Sequence, residues 1–175
     1  MFVVGLVGAW IFLRELLDQR VKGPADIAMI PRTRLLGMIA STSEDPDAKS
    51  PETVFRDAPT SIVSENFRQL KSPLAKRMSN GSHKTLLVIG GMPGSGATSI
   101  VTNLSFAYAS AEQRVLVIDA NFRRPAIHKI LGMNEAPGLS DVLARAKSLG
   151  EAIQPGRKPG EPDVLAAGTA QHRVF

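Results

Sequence analysis

Residues 85–109, TLLVIGGMPGSGATSIVTNLSFAYA, decide the fold of this chain. They begin with TLLVIG (85–90), an apolar, β-branched run of strand length that ends in glycine. From Thr98 onward, apolar residues recur at spacings of three and four residues, at Val101, Leu104, Tyr108 and Ala111. This period predicts a helix with one apolar face. The stretch therefore predicts a strand, a glycine-rich turn and a helix in direct succession.

The turn has the arrangement of a phosphate-binding loop. It reads Gly-Met-Pro-Gly-Ser-Gly-Ala-Thr over residues 91–98, so a Gly-x-x-x-x-Gly segment is followed by one residue and then by a threonine. Glycines at these positions allow consecutive backbone N–H groups to face a phosphate and let its oxygens approach closely. A tight turn of small residues that holds no ligand is the alternative interpretation.

The lysine that ends this pattern is replaced by Ala97. Binding keeps the backbone donors, the helix dipole and the Thr98 hydroxyl, so we expect it to lose about 1.5–3 kcal/mol. Phosphoryl transfer depends more on the missing charge, because the protein contributes mainly positioning and charge neutralisation to that reaction. The loop therefore predicts weak binding of ATP or ADP with Mg²⁺ and little or no catalysis.

A second strand, RVLVIDA (114–120), carries the candidate catalytic and metal-binding carboxylate, Asp119. The strand begins too soon after the loop to be a Walker B strand, so Asp119 is expected beside the loop, where it positions Mg²⁺ or its water together with Thr98. Asn121 is an amide and therefore a poor base and a weak Mg²⁺ partner. A carboxylate that only accepts hydrogen bonds near a strand end is the alternative. The residues predicted to contact the nucleotide are Gly91, Pro93, Gly94, Ser95, Gly96, Ala97, Thr98, Ser99 and Asn121.

Strands and helices alternate along the rest of this region. Helices are predicted over 61–78, where Pro73 indicates a kink or an early end, then through Leu131 and over 140–146, and DVLAAG (163–168) is a third strand. Such alternation implies right-handed crossovers and a parallel sheet covered on both faces. The expected class is α/β, a P-loop NTPase-like parallel sheet flanked by helices and incomplete within this chain.

The start of the chain has a different character. Residues 2–13 are uncharged and apolar, but the run is shorter than the roughly 20 residues that a membrane helix needs. Arg14, Arg20 and Lys22 follow it, so residues 1–22 are interpreted as the end of a transmembrane helix that leads into the cytoplasm. A buried or interfacial amphipathic helix is the alternative.

Composition separates the remaining regions and excludes some functions. Residues 23–60 are rich in Ser, Pro, Asp and Glu toward their end and are expected to form a mobile linker before a folded unit over 61–175. The chain has no cysteine, so it has neither disulfides nor thiolate chemistry, and its three separated histidines make no metal site. The net charge of +5 selects no partner, and no nucleic-acid partner is expected.

Several stretches resemble the bacterial tyrosine kinases that form, or partner with, the cytoplasmic domain of membrane polysaccharide co-polymerases. Residues 115–143, VLVIDANFRRPAIHKILGMNEAPGLSDVL, are similar to the family's Asp-x-Asp, Arg-Arg-Pro and Pro-Gly-Leu-Ser-Asp-x-Leu sequence. Residues 92–109 are similar to its phosphate loop and the following helix, with Ser95 and Ala97 as departures. The apolar start and LLGMI (35–39) look like its passage from a membrane helix into the kinase linker.

The segment ENFRQLK (65–71) looks like the family's Glu-x-x-Arg-x-x-Arg motif. The resemblance implies that Glu65, Arg68 and Lys71 help such domains to assemble into rings. From the residues alone, spacings of three place them on one helical face, where a solvated charged surface is the alternative.

The resemblance implies a self-associating protein of the bacterial inner membrane whose P-loop domain faces the cytoplasm. Its partners would be the polysaccharide export or polymerisation machinery, and its role would be exopolysaccharide biosynthesis, export or chain-length control with weak or no kinase activity. An active ATP-dependent protein-tyrosine autokinase is one alternative. A partitioning-type P-loop ATPase is another, although that class usually carries an additional lysine early in the loop, which this chain lacks.

The resemblance also sets expectations for the two parts of the family that do not match. Its Walker B strand and tyrosine-rich tail would lie beyond Phe175, so the chain is expected to be a fragment. The one tyrosine, Tyr108, is expected in the core rather than as a phosphorylation site.

Overall fold

The computed structural model describes residues 2–17, 27 and 30–169. The chain divides into two compact units, Met1–Leu36 and Gly37–Phe175. In the first unit, helix α1 spans Phe2–Leu16, and the side chains of Trp10, Phe12 and Leu13 are exposed. Across the described residues, no helix has both the length and the apolarity that crossing a membrane requires. The predicted positive segment at Arg20 and Lys22 lies outside the described residues.

Within residues 37–169, the second unit combines helices with two short strands. A single 3-10 turn, Thr42–Glu44, precedes them. The helices are α2 (Val54–Asp57), α3 (Ile62–Asn80), α4 (Ala97–Ala109), α5 (Ile127–Leu131), α6 (Leu139–Leu143) and α7 (Leu149–Ala152). The strands are β1 (Leu116–Ile118) and β2 (Asp163–Leu165).

The two strands pair in parallel. Val117 lies opposite Val164, and backbone hydrogen bonds from Asp163 N to Val115 O (2.9 Å) and from Asp119 N to Leu165 O (3.0 Å) extend the ladder. Three helices lie in the connection between the strands, as a parallel crossover requires. The predicted α/β class with a parallel sheet is confirmed, and so are the strands predicted within 114–120 and 163–168.

Strand β1 is not covered on both faces, which corrects one expectation, whereas Val164 and Leu165 of β2 are both buried. Val117 is buried, whereas its neighbours Leu116 and Ile118 are 40% and 49% exposed. Because side chains alternate between the faces of a strand, one face of β1 packs on the core and the other faces outward. Helix α4 packs against β1 on the covered side.

The strand predicted over 85–90 is absent. These residues have no regular structure, and Leu87 and Ile89 are 76% and 78% exposed. An extended segment becomes a strand only when a neighbour satisfies its backbone groups. No backbone hydrogen bond from another described residue reaches this segment. It therefore does not form a strand, despite its high strand propensity.

Helix α3 continues through Pro73, where an early end or a kink was predicted. It runs to Asn80 and ends at Gly81, whose N–H donates to the carbonyl of Arg77. Its apolar residues on both sides of the proline, Phe67 and Leu74, are 2% and 7% exposed. Packing of this face therefore outweighs the one hydrogen bond that the proline removes.

The linker expected over 23–60 belongs in its last part to the folded unit. Val54 and Phe55 are 1% and 8% exposed within the core. Asp45 is buried as well, and its carboxylate accepts the N–H of Val63 at 3.2 Å, at the start of α3. The short polar residues that suggested mobility are hydrogen-bonded at turns and a helix end, which is their other common use. The folded part thus begins before residue 61.

One apolar core joins α2, α3, α4, β1, α5 and β2. Its larger members are Val54, Phe55, Val63, Phe67, Leu74, Leu104, Phe106, Val117, Ile127, Leu131 and Val164. The start of α6 packs directly on the chain after β2, where Leu139 N and Ser140 N donate to the carbonyls of Ala166 and Ala167. A Cβ at Gly138 would meet the Ala166 carbonyl at 2.5 Å, so the glycine before α6 is required by this close approach.

Candidate phosphate-binding site

The glycine loop has the backbone geometry that its sequence predicts. Gly94 and Gly96 have φ angles of 79° and 81°, values that favour glycine, and Ser95 N donates to Met92 O at 3.1 Å across the turn. Gly96 is the N-cap of α4, so the loop leads straight into the helix. A Cβ at Gly91, Gly94 or Gly96 would meet nothing within 4 Å. The loop therefore borders open space.

The amide groups of this loop are largely without acceptors. Hydrogen bonding within α4 begins with Ile100 N, which donates to Gly96 O at 2.9 Å. No acceptor among residues 30–169 takes the backbone N–H groups of Gly94, Gly96, Ala97, Thr98 and Ser99. Several of them belong to the first turn of the helix, where the macrodipole also favours an anion. The donors of a phosphate site are thus present and unused.

No cation accompanies these donors in the lysine position. Ala97 is half-buried at the start of α4 and presents only a methyl group. Thr98 follows it, and its hydroxyl makes no hydrogen bond with the described residues, so it remains able to meet a metal-bound phosphate. The donors that this loop offers to an anion are therefore backbone amides, without a lysine beside them.

Asp119 lies at the end of β1 and is 4% exposed. Its carboxylate accepts three backbone N–H groups: one oxygen bonds Asn121 at 3.0 Å, and the other bonds Ala126 at 3.0 Å and Ile127 at 3.1 Å. The acid thus joins the turn after β1 to the start of α5. No hydrogen bond connects it to Thr98 within the described part of the chain, so the two predicted Mg²⁺ ligands are not brought together by direct contact.

The neighbouring polar residues support this turn. The Asn121 side-chain oxygen accepts Arg124 N at 3.1 Å, while Arg123 and Arg124 are exposed. Among the described residues, no group of three or more His, Asp or Glu side chains could hold a metal ion. The roles predicted for Asp119 and Asn121 toward a nucleotide remain predictions.

Two polar residues behind the loop were not predicted. Asn103 is fully buried on α4: its amide donates to Pro51 O and Ser99 O, both at 2.8 Å, and its oxygen accepts Phe55 N at 2.8 Å. Thr102 is also fully buried, and its hydroxyl donates to Glu52 O. Both attach the 51–55 segment to the helix that follows the loop. The sequence signal was a pair of adjacent polar residues in the middle of a helix, between Val101 and Leu104.

The three residues of the predicted assembly motif separate into two groups. Arg68 pairs with Glu65 at 3.1 Å on the surface of α3, and this pair is half-exposed. Lys71 instead points at α4: its ammonium donates to Ala107 O at 3.1 Å and lies 5.9 Å from the Tyr108 ring centre. Lys71 therefore binds within the subunit, at the C-terminal end of α4, where the helix dipole favours a cation.

Tyr108 is half-buried between α3 and α4. It packs against the core, and its hydroxyl donates to the carbonyl of Lys71 at 3.4 Å. Burial raises the pKa of this phenol. These contacts agree with the prediction that Tyr108 is a packing residue.

Comparison with known proteins adds to this geometry. The chain is 30% identical over 186 residues to the tyrosine-protein kinase etk of Escherichia coli K12, covering 95% of this chain and 25% of that protein. It is 28% identical over 110 residues to the tyrosine-protein kinase YwqD of Bacillus subtilis, covering 63% of this chain and 46% of YwqD. No family model matches the chain.

A solved structure agrees with the sequence relatives. The kinase domain of the Escherichia coli tyrosine kinase ETK superposes with a TM-score of 0.77 at 25% identity, over 89% of this chain and 62% of that domain. The fold and the glycine loop thus define a P-loop NTPase-like α/β domain. The chain belongs to the bacterial tyrosine-kinase family. It spans between a quarter and a half of the length of the two curated relatives.

Proposed function

We propose that the loop of residues 91–99 binds the phosphates of ATP or ADP weakly, in a domain with little or no kinase activity. The observation that carries this proposal is the set of unused amide donors at the start of α4, in a loop whose glycines border open space. Backbone donors and the helix dipole favour an anion without help from a side chain. Nucleotide binding is therefore the property that the site supports best.

The same site supports catalysis poorly. Ala97 provides no charge for the transferring phosphoryl group, and neutralisation of that charge is most of what a protein adds to the reaction. The Asp119 carboxylate already accepts three backbone N–H groups, so it has little capacity left for a proton or a metal. Mg²⁺ would then enter with the nucleotide and meet the Thr98 hydroxyl.

The cellular role that we propose follows from the family. Resemblance to kinases of polysaccharide co-polymerases favours an inner-membrane protein that acts in exopolysaccharide biosynthesis, export or chain-length control through self-association. Glu65 and Arg68 lie exposed on α3 and are suited to a subunit contact, whereas Lys71 is bound to α4 of its own subunit. Assembly in this protein would therefore use only part of the predicted motif.

Restoring the missing cation tests the nucleotide site. We expect Ala97→Lys to tighten binding of Mg²⁺-ADP, measured by titration calorimetry on the full chain, by about ten- to a hundredfold, because it adds one charge-assisted contact. Ala97→Gln is the matched control, since it adds similar length without charge and should leave the affinity within about threefold. Equal affinities for all three proteins would show that the loop is not a phosphate site.

Family membership makes an active autokinase the second candidate. Incubation with labelled ATP, followed by phosphoamino-acid analysis, distinguishes it from the first. We expect no labelled tyrosine in the full chain. Labelling that disappears in Asp119→Ala would replace our proposal with the kinase.

A further inference from the structure

We propose that a cleft on the second unit, beside α2 and α3, binds an acidic peptide segment. The cleft has a volume of about 520 Å³, and its basic lining residues are Arg56, Arg68 and Lys158. It includes none of residues 91–99, so it is separate from the proposed nucleotide site, but it shares Arg68 with the proposed subunit contact. Its volume lies in the range of sites that hold a small ligand or a few side chains.

Two buried aromatic rings hold the arginines in place. The Arg68 guanidinium lies 5.2 Å from the centre of the Phe55 ring, and the Arg56 guanidinium lies 5.6 Å from that of Phe106. Both rings belong to the core and are less than a tenth exposed. Attraction to the face of the ring restrains each guanidinium near it. The cleft therefore presents two cations that are held in place.

Much of the donor capacity of these cations is unused. Arg56 donates through Nε and one terminal nitrogen to Asp57, at 2.7 and 3.3 Å. Arg68 donates to Glu65 and to the Pro59 carbonyl. A guanidinium has five N–H donors, so each arginine retains about three. Lys158 adds an exposed ammonium that makes no hydrogen bond or ion pair with any other described residue.

The carboxylates of the cleft have fewer free positions than its cations: Asp57 is largely engaged, and Glu161 uses one of its two oxygens. The Asp57 carboxylate accepts from Arg56 and from the Thr53 hydroxyl at 2.6 Å, and the hydrogen bond from Arg56 is the main reason that the pKa of Asp57 is lowered. Glu161 accepts Arg157 N at 3.1 Å. A surplus of donors over acceptors favours an incoming oxyanion.

The arrangement suits a carboxylate-bearing peptide better than a nucleic acid. Asp57 and Glu161 interrupt the basic surface, and a phosphate backbone needs continuous positive charge. Pro59 and Pro159 add apolar surface to the lining, against which an extended peptide can pack between its carboxylates. The proposed ligand is thus a short segment with two or three Asp or Glu side chains.

Fluorescence anisotropy with a labelled peptide of alternating glutamate and glycine tests this inference on the full chain. We expect saturable binding that weakens about tenfold in Lys158→Glu, because one favourable contact becomes a repulsive one. Lys76→Glu is the matched control: Lys76 is exposed on the same α3 as Arg68 but eight residues further on, about 12 Å along the helix. It changes the net charge equally and should weaken binding by less than about twofold.

Three results would overturn the proposal. One is absence of binding by the glutamate peptide, and another is an equal loss in the two charge-reversal variants, which would indicate unspecific attraction to a basic protein. The third is displacement of the peptide by inorganic phosphate at concentrations equal to that of unlabelled peptide, which would show a site for small anions. Retained binding in Lys76→Glu together with loss in Lys158→Glu supports it.

Discussion

The alanine at position 97 affects phosphate binding and phosphoryl transfer differently, although the two usually occur together in a phosphate loop. The donors that hold a phosphate belong to the backbone and persist whichever side chain stands at that position, as the unused amides of residues 94–99 illustrate. The charge that speeds phosphoryl transfer belongs to the side chain and is lost with it. We therefore expect a loop that lacks the lysine to keep some phosphate affinity and to lose most of the catalysis.

Asn103 is the residue whose removal we expect to destabilise the loop region most. Asn103→Ala removes three hydrogen bonds, and it leaves the buried N–H of Phe55 and the partly buried carbonyl of Pro51 without this partner. We expect the free energy of unfolding to fall by about 2–4 kcal/mol, measured by urea denaturation of the full chain. The expectation rests on burial, since Asn103 is fully enclosed.

Asn80→Ala is the control for that measurement. Asn80 is the last residue of α3 and is exposed, so the same chemical change there should alter the free energy of unfolding by less than about 0.5 kcal/mol. If both variants unfold at the urea concentration of the unchanged chain, Asn103 does not hold the 51–55 segment.

At single residues, the sequence predicted the backbone requirement of the loop glycines more reliably than the role of a carboxylate such as Asp119. The turn at the loop glycines could be predicted because glycine is the residue type that readily adopts a positive φ and allows close approach to the backbone. Asp119 could not be assigned in the same way, because an acid at a strand end serves equally well as a metal ligand or as an acceptor of backbone hydrogen bonds. Its three amide partners come from residues 121–127, whose path depends on the fold around them.

Among the elements, strand prediction succeeded where the pairing partner of the segment is also present. Strands β1 and β2 were predicted from their apolar runs, and they pair with each other. Residues 85–90 are similarly apolar and β-branched, but no described segment pairs with them. A strand forms only when two segments share backbone hydrogen bonds. The prediction of a mobile linker over residues 45–58 was wrong. Their polar composition gave no indication of the hydrogen bonds that they make with α3 and α4.

The short helix α7 gives a prediction about pH. The Glu151 carboxylate accepts hydrogen bonds from the Ser148 hydroxyl (2.7 Å) and Ser148 N (2.9 Å), and Lys147 lies at 3.2 Å. The Ser148 hydroxyl is the main cause that lowers the pKa of Glu151 from 4.5 to about 2. Because the folded-state pKa is lowered, the cap contributes stability above about pH 4.5 and loses it as the pH falls through about 2.

Carbon-detected NMR titration of the glutamate side chains measures this directly. Glu151 should titrate near pH 2 in the unchanged chain, and Ser148→Ala should return its pKa toward that of an ordinary glutamate. Ser72→Ala, on the exposed surface of α3, should leave the Glu151 titration in place. An ordinary midpoint for Glu151 in the unchanged chain would mean that the capping box is not formed in solution.

At the scale of the whole molecule, the chain combines two units. The second encloses one apolar core, although Leu87 and Ile89 are exposed on it, and the first exposes large apolar side chains along the described part of α1. Exposed apolar groups on a helix that basic residues follow in sequence are typical of contact with lipid. The difference between the apolar start of the chain and the folded unit was predicted from composition alone, because an exposed apolar helix needs no pairing with distant residues.

Trp10 makes the membrane prediction measurable, because it is the one tryptophan of the chain and lies exposed on α1. We expect anionic phospholipid vesicles to shift its emission to shorter wavelength and to carry the full chain upward in a flotation gradient. Phe12→Asp with Leu13→Asp should weaken vesicle binding at least a hundredfold, since each buried carboxylate costs about 2.5–3.5 kcal/mol in a bilayer. Leu149→Asp, at an equally exposed leucine of α7, should bind vesicles as the unchanged chain does. Unshifted emission and a protein that stays at the bottom of the gradient would remove the lipid contact from the proposed role.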